Sequence, residues 1–330
     1  MKKILAADIG GTNSRFAFFR YDGKEGLQLA ESKWLKTSES ASFGELLKNL
    51  KDAGFSLRPE DADIAVFAIA GPVENGVRCS PPFIEWGIDI SQAEKDFGIR
   101  HALLINDFVA QAYACRSEVG RKAEQIKKGD IVKDAAAAVI GAGTALGKAL
   151  IIPDGRGGFL VNPSEGGHAS FAFESGKECE FQEFLLRELG DSYITWNKVV
   201  SGMGIRLVYR FLTGESLGPE EVTDRILPSS ETLEWTARFY GRACRNFALE
   251  ALSTGGVYIA GGVAARTPEI VTHRTFTEEF LRSDTMADLL RNIPVFLIRE
   301  QNAGLWGSAV AGMHALKKSA EDRKKERGKG

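Results

Sequence analysis

Two strand-like runs separated by a glycine-rich turn open the chain. Residues 3–7 are mostly apolar and end at the turn DIGGTN of residues 8–13. Residues 15–21 follow, with Phe16 and Phe18 on one face of the run. Apolar runs of this length and periodicity predict a strand, a tight turn and a second strand.

Apolar runs and helical spacing then alternate over the rest of the first third. Residues 64–70 are all apolar, which predicts a strand buried on both faces. Residues 102–105 form another apolar run, and residues 108–115 follow with helical spacing. Residues 43–53 also have helical spacing, with apolar side chains at Phe43, Leu46, Leu47 and Leu50. This alternation predicts an α/β fold with a largely parallel core sheet.

A second strand, glycine turn and strand occur further along the chain. Residues 135–140 are apolar, the turn GAGT covers residues 141–144, and residues 146–152 form a further apolar run. Both turns follow a strand, are closed by a threonine and lead into an apolar strand. We therefore predict an internal duplication, with one glycine hairpin in each of two domains.

Helical patterns are more frequent in the second half of the chain. Spaced apolar residues predict helices at residues 179–189, 199–212, 219–226, 233–252 and 305–316. Short apolar runs predict strands at residues 256–260 and 295–298. Because no low-complexity linker separates the halves, we predict two domains that meet at an interface cleft.

Composition and charge restrict the class of protein. Of 330 residues, 44% are apolar and 26% charged, as in soluble globular proteins, and the length favours two domains. The net charge of −2 includes a basic stretch at residues 317–330, so the remaining chain is acidic and we expect no nucleic-acid partner. Apolar runs are too short for a signal peptide or a membrane span, and no cysteines have CxxC spacing. We expect a cytoplasmic protein with reduced thiols and no membrane partner.

The first glycine turn is a candidate phosphate site. Glycine lets backbone N–H groups approach an anion closely at Gly10 and Gly11, and Thr12 and Asn13 add further donors. Asp8, at the end of the preceding strand, could hold a metal ion directly or through water. The turn is neither a P-loop nor a GxGxxG fingerprint, because no GKS or GKT follows and the next segment is a strand. The alternative is an ordinary hairpin in which turn amides bond to Asp8.

Glycines further along the chain are candidates for nucleotide contact. Gly141, Gly143 and Thr144 of the second turn have the same properties as the first turn. Gly261 and Gly262 follow an apolar strand and would let a nucleobase or ribose lie against bare backbone. For these two glycines, the alternative is a turn that packs a helix on a strand.

Two polar pairs are candidates for substrate contact. Asn106 and Asp107 lie at the carboxyl end of a predicted strand, where α/β sheets bind ligands, and a carboxylate there can accept a proton from a hydroxyl. Alternatively, Asp107 is the N-cap of the following helix. Glu165 and His168 flank two glycines and could contact a polyhydroxyl ligand, or belong to a solvent loop.

The motifs occur in a defined order: DIGGTN, AIAGPVENG, INDF, GAGTALG, EGGH, VVSG and YIAGGV. From residue 8 to residue 308, this ordered set closely resembles the ATP-dependent bacterial glucokinase family, within the superfamily of actin, sugar kinases and heat-shock chaperones. The resemblance implies two α/β domains of ribonuclease-H type, the actin-like ATPase fold, with ATP in an interdomain cleft. We place the small domain at residues 1–116 plus 308–330 and the large domain at residues 117–307.

The resemblance also implies a role for each motif. The two glycine turns would hold phosphates, the glycine pair 261–262 would contact adenosine, and Asp8 would orient Mg²⁺ through water. Asn106 and Asp107 would bind the sugar, with Asp107 as general base, and Glu165 and His168 would contact its hydroxyls. The implied reaction is ATP:D-glucose 6-phosphotransfer, the first step of glycolysis, with ATP and Mg²⁺ as cofactors.

Two departures from the family pattern concern the sugar pocket. The family usually has Glu before the basic residue of its ERVxSG segment, where this chain has Asn197, so we assign Asn197 to the pocket. Residues 80–86 lack the asparagine that the family often has before Trp86. The alternatives are a kinase for an N-acetylhexosamine or fructose, or a non-enzymatic actin-like ATP-binding protein. ATP or polyphosphate as donor and a homodimeric assembly stay open.

Overall fold

The computed structural model describes residues 1–23, 26–174, 176–218, 221 and 230–327, with side chains of the last helix described as far as residue 319. The chain divides into two units, Met1–Arg121 with Asn302–Gly330, and Lys122–Gln301. The helix predicted at residues 219–226 lies outside the described residues, apart from residue 221. Within the described ranges, no helix has both the length and the apolar character that a membrane span requires.

The first unit is built on a five-stranded sheet. Its strands in chain order are β1 Lys2–Ile9, β2 Asn13–Tyr21, β3 Leu27–Lys36, β4 Ile64–Ile69 and β7 Ala102–Asn106, with the short strands β5 Arg78–Cys79 and β6 Ile88–Asp89 paired separately. The sheet order is β3-β2-β1-β4-β7. Neighbours β3, β2 and β1 are antiparallel, whereas β1, β4 and β7 are parallel.

The two faces of this sheet are covered by different helices. The helices that precede the second unit are α1 Phe43–Asp52, α2 Ala93–Phe97, α3 Asp107–Ala114 and α4 Glu118–Arg121. Two-residue periodicity sends Leu5 and Phe16 toward α1, where Leu46 is fully buried. Every residue of β4 is buried, as the apolar run at residues 64–70 predicted, because both faces of this strand are covered.

The second unit contains a six-stranded sheet and most of the helices. Its strands are β8 Glu124–Lys127, β9 Ala137–Ala142, β10 Leu146–Pro153, β11 Phe159–Ser164, β12 Val257–Ala260 and β13 Val295–Leu297. Its helices are α5 Gly176–Leu189, α6 Trp196–Val199, α7 Gly202–Thr213, α8 Glu231–Glu250, α9 Gly262–Arg266, α10 Glu269–Thr272, α11 Arg274–Leu281 and α12 Ala287–Asn292. The sheet order is β11-β10-β9-β12-β13-β8. The long helix α8 supplies much of the apolar core, including Phe239 and Tyr240.

The chain then returns to the first unit as α13 Ala303–Arg327. This helix covers the second face of the first sheet, where Leu305 and Ala309 pack with Ile4 and Phe19. A Cβ on Gly307 would lie 1.7 Å from the carbonyl oxygen of Ala110, so glycine is required for α13 to approach α3 this closely.

The two sheets share one strand order. In each, a three-stranded antiparallel meander is followed by two parallel strands, and β8 adds an antiparallel edge to the second sheet. This shared topology supports the predicted duplication. The prediction of largely parallel sheets is wrong, because tight hairpins join antiparallel strands and each glycine turn is such a hairpin.

The helix predicted at residues 199–212 is interrupted. The hydroxyl of Ser201 accepts a hydrogen bond from the N–H of Gly204, which makes Ser201 the N-cap of α7 and separates this helix from α6. A Cβ on Gly204 would lie 2.0 Å from the carbonyl oxygen of Val199. The continuous apolar spacing therefore covers two helices joined by a capped corner.

Candidate functional site

The first glycine hairpin connects β1 to β2. It is closed by a hydrogen bond from the N–H of Gly10 to the carbonyl oxygen of Asn13, at 3.0 Å. Among the described residues, the N–H groups of Gly11 and Thr12 have no hydrogen-bond acceptor. The side chains of Thr12 and Asn13 are exposed. The hairpin thus presents two adjacent backbone donors and two polar side chains.

A buried threonine holds this hairpin in place. The hydroxyl of Thr37 donates to the carbonyl oxygen of Gly10 at 2.7 Å. The hydroxyl of Ser14 lies 2.8 Å from the hydroxyl oxygen of Thr37. The N–H of Thr37 also donates to the carbonyl oxygen of Thr12 at 3.0 Å. Thr37 was missed by the sequence analysis, because a threonine within the polar stretch KTSESAS carries no signal of burial.

The segment at residues 80–86 lies against the same hairpin. A Cβ on Gly11 would come within 2.9 Å of the carbonyl oxygen of Phe83, so only glycine permits this approach. A Cβ on Gly71 would lie 3.2 Å from Pro82, and the carbonyl oxygen of Gly71 accepts a hydrogen bond from Asn106. The segment is therefore in contact with both the hairpin and the loop that bonds to Asn106.

Asp8 lies in β1 beside the hairpin. Burial raises the pKa of its carboxyl group, while Arg15, whose guanidinium lies 3.7 Å away, acts in the opposite direction. A Cβ on Gly304 would lie 2.8 Å from Oδ2 of Asp8, so the first turn of α13 also approaches this carboxylate. A half-buried carboxylate whose ion-pair partner Arg15 lies 3.7 Å away fits a cation bound nearby. In the parts of the chain that the structure describes, no cluster of three or more acidic, histidine or cysteine side chains could itself hold a metal ion.

Asn106 and Asp107 lie where β7 meets α3. The Asn106 side-chain oxygen accepts from the N–H of Phe108 at 2.8 Å and from that of Val109 at 3.3 Å, so Asn106 is the N-cap. Its Nδ2 donates to Gly71 at 3.1 Å. The alternative that Asp107 caps the helix is therefore wrong. Asp107 is the first helical residue, and its carboxylate accepts from the N–H of Phe108 at 3.0 Å.

The second glycine hairpin connects β9 to β10. The N–H of Gly143 donates to the carbonyl oxygen of Ala145 at 2.9 Å, and within the described chain the N–H groups of Thr144 and Ala145 have no acceptor. A Cβ on Gly143 would meet nothing within 4 Å. Gly141 lies inside β9 and is buried. The second hairpin therefore also presents two adjacent donors, with open space beside Gly143.

Two side chains from distant helices hold the second hairpin. The hydroxyl of Tyr240 accepts from the N–H of Ala142 at 3.0 Å, and the side-chain oxygen of Asn197 accepts from the N–H of Leu146 at 2.9 Å. The carbonyl oxygen of Gly143 accepts from the N–H of Gly202 at 2.9 Å. Tyr240 was missed by the sequence analysis, although a hydroxyl-bearing ring on the apolar face of a helix is a usable signal.

Glu165 and His168 are carried by a short 3₁₀ turn, Gly166–His168. Their side chains are 50% and 68% exposed, and His168 Nε2 lies 3.7 Å from a carboxylate oxygen of Glu165. The backbone of the turn packs closely against β10, because a Cβ on Gly167 would lie 2.2 Å from the carbonyl oxygen of Leu146. Both polar side chains are thus available to a ligand, while the backbone that carries them is packed against β10.

Asn197 is only 9% exposed and lies in α6. The sequence analysis assigned it to the sugar pocket. The structure places its side-chain oxygen against the second hairpin, as described above, and within 2.3 Å of where a Cβ on Gly167 would be. The carboxylates of Glu178 and Glu174 are engaged by arginines, Glu178 with Arg242 at 2.7 Å and Glu174 with Arg245 at 3.4 Å.

Gly261 and Gly262 follow β12, next to the second hairpin. Ala260 is the register partner of Gly141, and a Cβ on Gly261 would lie 2.8 Å from the carbonyl oxygen of Ala142. Gly261 also has a φ of +90°, which favours glycine. These observations fit the packing-turn interpretation of Gly261, and they place both glycines at the edge of the hairpin.

Lys148 is a buried charge that the sequence analysis passed over. It interrupts the apolar run of β10, and only 3% of its surface is exposed. Its ammonium lies 4.9 Å from the ring centre of Phe247 and 5.7 Å from that of Trp196. Burial lowers its pKa, with Glu250 acting in the opposite direction. The Lys148 ammonium lies near two aromatic rings, which is compatible with cation–π stabilisation. A Cβ on Gly166 would lie 3.4 Å from the same ammonium.

The predicted site residues form two groups. In the first unit, Asp8, the first hairpin and the Asn106–Asp107 pair lie at the same ends of β1 and β7, which flank β4. In the second unit, the second hairpin is in contact with the segment 165–168, with Asn197 and with Gly261. Each unit therefore combines a glycine hairpin that presents adjacent N–H groups with polar side chains suited to hydrogen bonds with hydroxyl groups.

Solved structures with this fold are sugar kinases of the actin-like ATPase class. The glucokinase from an Antarctic psychrotroph matches with a TM-score of 0.75 and 26% identity, covering 94% of this chain and 98% of that chain. A ROK family glucokinase from Streptomyces griseus, in complex with glucose and AMPPNP, matches with a TM-score of 0.62 and 17% identity, covering 93% of this chain and 98% of that chain. The fold class predicted from the motifs is confirmed.

Sequence comparison gives the family within that class. The model of the Glucokinase family matches residues 5–315. The glucokinase of Nostoc punctiforme is 30% identical over 342 residues, which covers 94% of this chain and 98% of that protein. The chain belongs to the Glucokinase family, as its ordered motifs indicated.

Proposed function

We propose that this protein is a cytoplasmic enzyme that transfers the γ-phosphoryl group of ATP to the 6-hydroxyl of D-glucose. The observation that carries the proposal is membership of the Glucokinase family over residues 5–315. The Streptomyces griseus structure of the same fold, in complex with glucose and AMPPNP, supports both a sugar and a nucleotide as ligands.

The two hairpins are proposed to hold the triphosphate. Each presents two adjacent N–H groups that have no acceptor in the described part of the chain, at residues 11–12 and 144–145. Successive backbone donors in a turn form a concave anion site. Gly10, Asn13, Gly141 and Gly143 shape these turns, and the glycine pair 261–262 is proposed to lie against the adenosine.

Asp8 is proposed to hold Mg²⁺ through water. Its carboxylate is desolvated, so a divalent cation in the neighbourhood would stabilise the ionised form. When bound, Mg²⁺ neutralises charge on the phosphates during transfer. Arg15 and the first turn of α13 fix the position of the carboxylate.

Asp107 is proposed to act as the general base. It accepts the proton of the sugar 6-hydroxyl while that oxygen forms a bond to the γ-phosphorus, and the bond to the β,γ-bridging oxygen breaks to release ADP. Asn106 fixes the turn that carries Asp107, because its side chain caps α3 and bonds to Gly71. One N–H of the Asn106 amide group stays available for a sugar hydroxyl.

Glu165, His168 and Asn197 are proposed to complete sugar recognition. Glu165 and His168 are exposed on a fixed turn, which suits hydrogen bonds to ring hydroxyls. The oxygen of Asn197 is engaged by Leu146, so Nδ2 is the atom that Asn197 can offer to a sugar. A carboxylate at this position could only accept.

A kinase for an N-acetylhexosamine or fructose is the second candidate. The amide donor of Asn197 and the absence of asparagine from residues 80–86 favour a pocket altered relative to the family pattern. A coupled assay across glucose, fructose, N-acetylglucosamine and N-acetylmannosamine, each with ATP or polyphosphate, separates the candidates. We expect glucose with ATP to have the highest kcat/KM. A higher value for another sugar would overturn glucose as the substrate, and no turnover with any sugar would overturn the kinase activity.

A further inference from the structure

Asn197 lies between two backbone segments for which we propose different ligands: the second hairpin, residues 143–145, for phosphate, and the sugar segment, residues 165–168, for sugar. On one side, its oxygen accepts from the N–H of Leu146, which ends the second hairpin, at 2.9 Å. On the other side, a Cβ on Gly167 would lie 2.3 Å from the same oxygen. Gly167 is the buried centre of the segment that carries Glu165 and His168. The amide group therefore touches the phosphate hairpin and the sugar segment at once.

The backbone around Asn197 is bonded to the same two segments. The N–H of Trp196 donates to the carbonyl oxygen of Ala169 at 3.1 Å, directly after the sugar segment. The N–H of Gly202 donates to the carbonyl oxygen of Gly143, inside the hairpin, at 2.9 Å. Residues 196–202 thus form a short bridge, with Asn197 as the side chain that contacts both ends.

We infer that Asn197 is a positioning residue that couples the sugar segment to the second phosphate hairpin, so that binding of nucleotide raises the affinity for sugar. The inference rests on the proposed function of the two segments. It concerns residues within the second unit alone.

The coupling has a physical basis in the chemistry of the amide. Its oxygen holds the hairpin, and its Nδ2 has no acceptor among the described residues, so it can donate to a bound sugar. A sugar that orders the amide also orders the N–H of Leu146, and a nucleotide that orders the hairpin orders the amide. Coupling of this kind is reciprocal, and its usual size is about 5- to 150-fold in affinity.

Tyr240 provides a matched control. Its hydroxyl also accepts a backbone N–H of the second hairpin, that of Ala142, at 3.0 Å. It lies on α8, and its pKa is raised mainly by burial, so it is not an exposed ligand group. Tyr240→Phe removes a hairpin hydrogen bond as Asn197→Ala does, but leaves the contact with the sugar segment intact.

The test is a calorimetric measurement of the glucose Kd, with and without saturating AMPPNP and Mg²⁺. We expect AMPPNP to lower the Kd at least fivefold in the wild type and in Tyr240→Phe, and less than twofold in Asn197→Ala. Asn197→Asp, which keeps the size and the acceptor but lacks the donor, should also lose the coupling, and it guards against misfolding of the alanine variant.

The outcomes separate this inference from the proposed function. Undiminished coupling in Asn197→Asp, or no coupling in a wild type that phosphorylates glucose, would overturn the role of Asn197 alone. Equal loss of coupling in Tyr240→Phe would also overturn it, because any loosened hairpin would then give the effect. A wild type that neither binds nor phosphorylates glucose would overturn both.

Discussion

The two glycine hairpins share a topology but differ in the side chains around them. When the Gly-Thr pairs of the two turns are aligned, Asp8 in β1 corresponds to Ile140 in β9, which is fully buried. The hydroxyl of Thr37 bonds to the first hairpin, whereas Tyr240 and Asn197 bond to the second. The first hairpin is therefore paired with a carboxylate, and the second with an amide that also contacts the sugar segment.

The difference shows that a duplicated backbone motif does not determine which side chains form hydrogen bonds to it. A tight three-residue turn leaves backbone polar groups that must find partners when buried. Each unit supplies those partners from its own later elements.

Asp107→Asn should have the largest effect, because it removes the proposed general base. The substitution keeps the shape and most hydrogen bonds, and general-base catalysis contributes roughly 10²–10⁴-fold. We expect kcat to fall by about that factor while the glucose Kd changes far less. Steady-state kinetics and calorimetry measure the two quantities. Near-normal kcat would show that Asp107 is only the first residue of α3.

Asp8→Asn should lower the rate of phosphoryl transfer, by a smaller factor than Asp107→Asn does, and yet stabilise the fold. Burial raises the pKa of Asp8, so the folded protein binds this proton more tightly than the unfolded chain does. As the pH rises above the ordinary value of 3.8, the ionised carboxyl group therefore lowers stability. We expect a higher Tm for Asp8→Asn at pH 7 without metal or nucleotide, and a difference that vanishes below pH 3.8.

Asp89 is the control for this prediction, because its pKa has the opposite shift. Hydrogen bonds from Ser91 and then Arg78 lower the pKa of Asp89 to about 2. Its ionised form therefore adds stability above the ordinary pKa of 3.8, and that contribution is lost as the pH falls toward 2. Asp89→Asn should lower the Tm at pH 7. A Tm that falls in both variants would contradict the assigned desolvation of Asp8.

Thr37→Val should weaken nucleotide binding alone. Valine keeps the branched shape but leaves the carbonyl oxygen of Gly10 without its 2.7 Å donor. Loss of a buried hydrogen-bond partner costs about 1–3 kcal/mol of free energy, and here the loss destabilises the bound conformation of the first hairpin. We expect a weaker Kd for AMPPNP and an unchanged Kd for glucose without nucleotide. Thr37→Ser, which keeps the hydroxyl, should restore AMPPNP binding. Weaker glucose binding in the absence of nucleotide would contradict this prediction.

Asn197→Glu should have the smallest effect, a change in glucose affinity, and it tests whether the side chain that holds the second hairpin also contacts the sugar. The oxygen of Asn197 is held by the N–H of Leu146, so Nδ2 is the atom left for a sugar, and a carboxylate cannot donate in its place. We expect glucose to bind more weakly to Asn197→Glu than to the wild type by about 1 kcal/mol, the usual contribution of one neutral hydrogen bond. Calorimetry measures both affinities. Equal affinities would mean that Asn197 does not face the sugar, and tighter binding would mean that the sugar needs an acceptor at this position.

Periodicity predicted the elements where one pattern covered one element. The alternation at residues 15–21 became β2, the helical spacing at residues 43–53 became α1, and the wholly apolar run at residues 64–70 became β4. The pattern at residues 199–212 was misleading, because helical spacing continues across the cap at Ser201. The exposed strand β3 was missed, since it has few buried positions to reveal it.

The sequence by itself determined most of the core strands and helices, the two glycine hairpins and the family. These depend on residues close together in the chain, so that periodicity, turn chemistry and ordered motifs are sufficient. Asp8, the hairpin glycines and the Asn106–Asp107 pair were identifiable on that basis as candidate site residues.

Only the tertiary structure decided which side chains hold the hairpins. Thr37 is 27 residues from Gly10, Asn197 is 51 residues from Leu146, and Tyr240 is 98 residues from Ala142. A hydrogen bond requires its atoms to lie within about 3 Å, and no local pattern specifies which distant residue will reach that distance. Packing of α8 against β9 and of α6 against the Gly166–His168 turn sets the last two of these distances, and with them the contact of Asn197 with both the hairpin and the sugar segment.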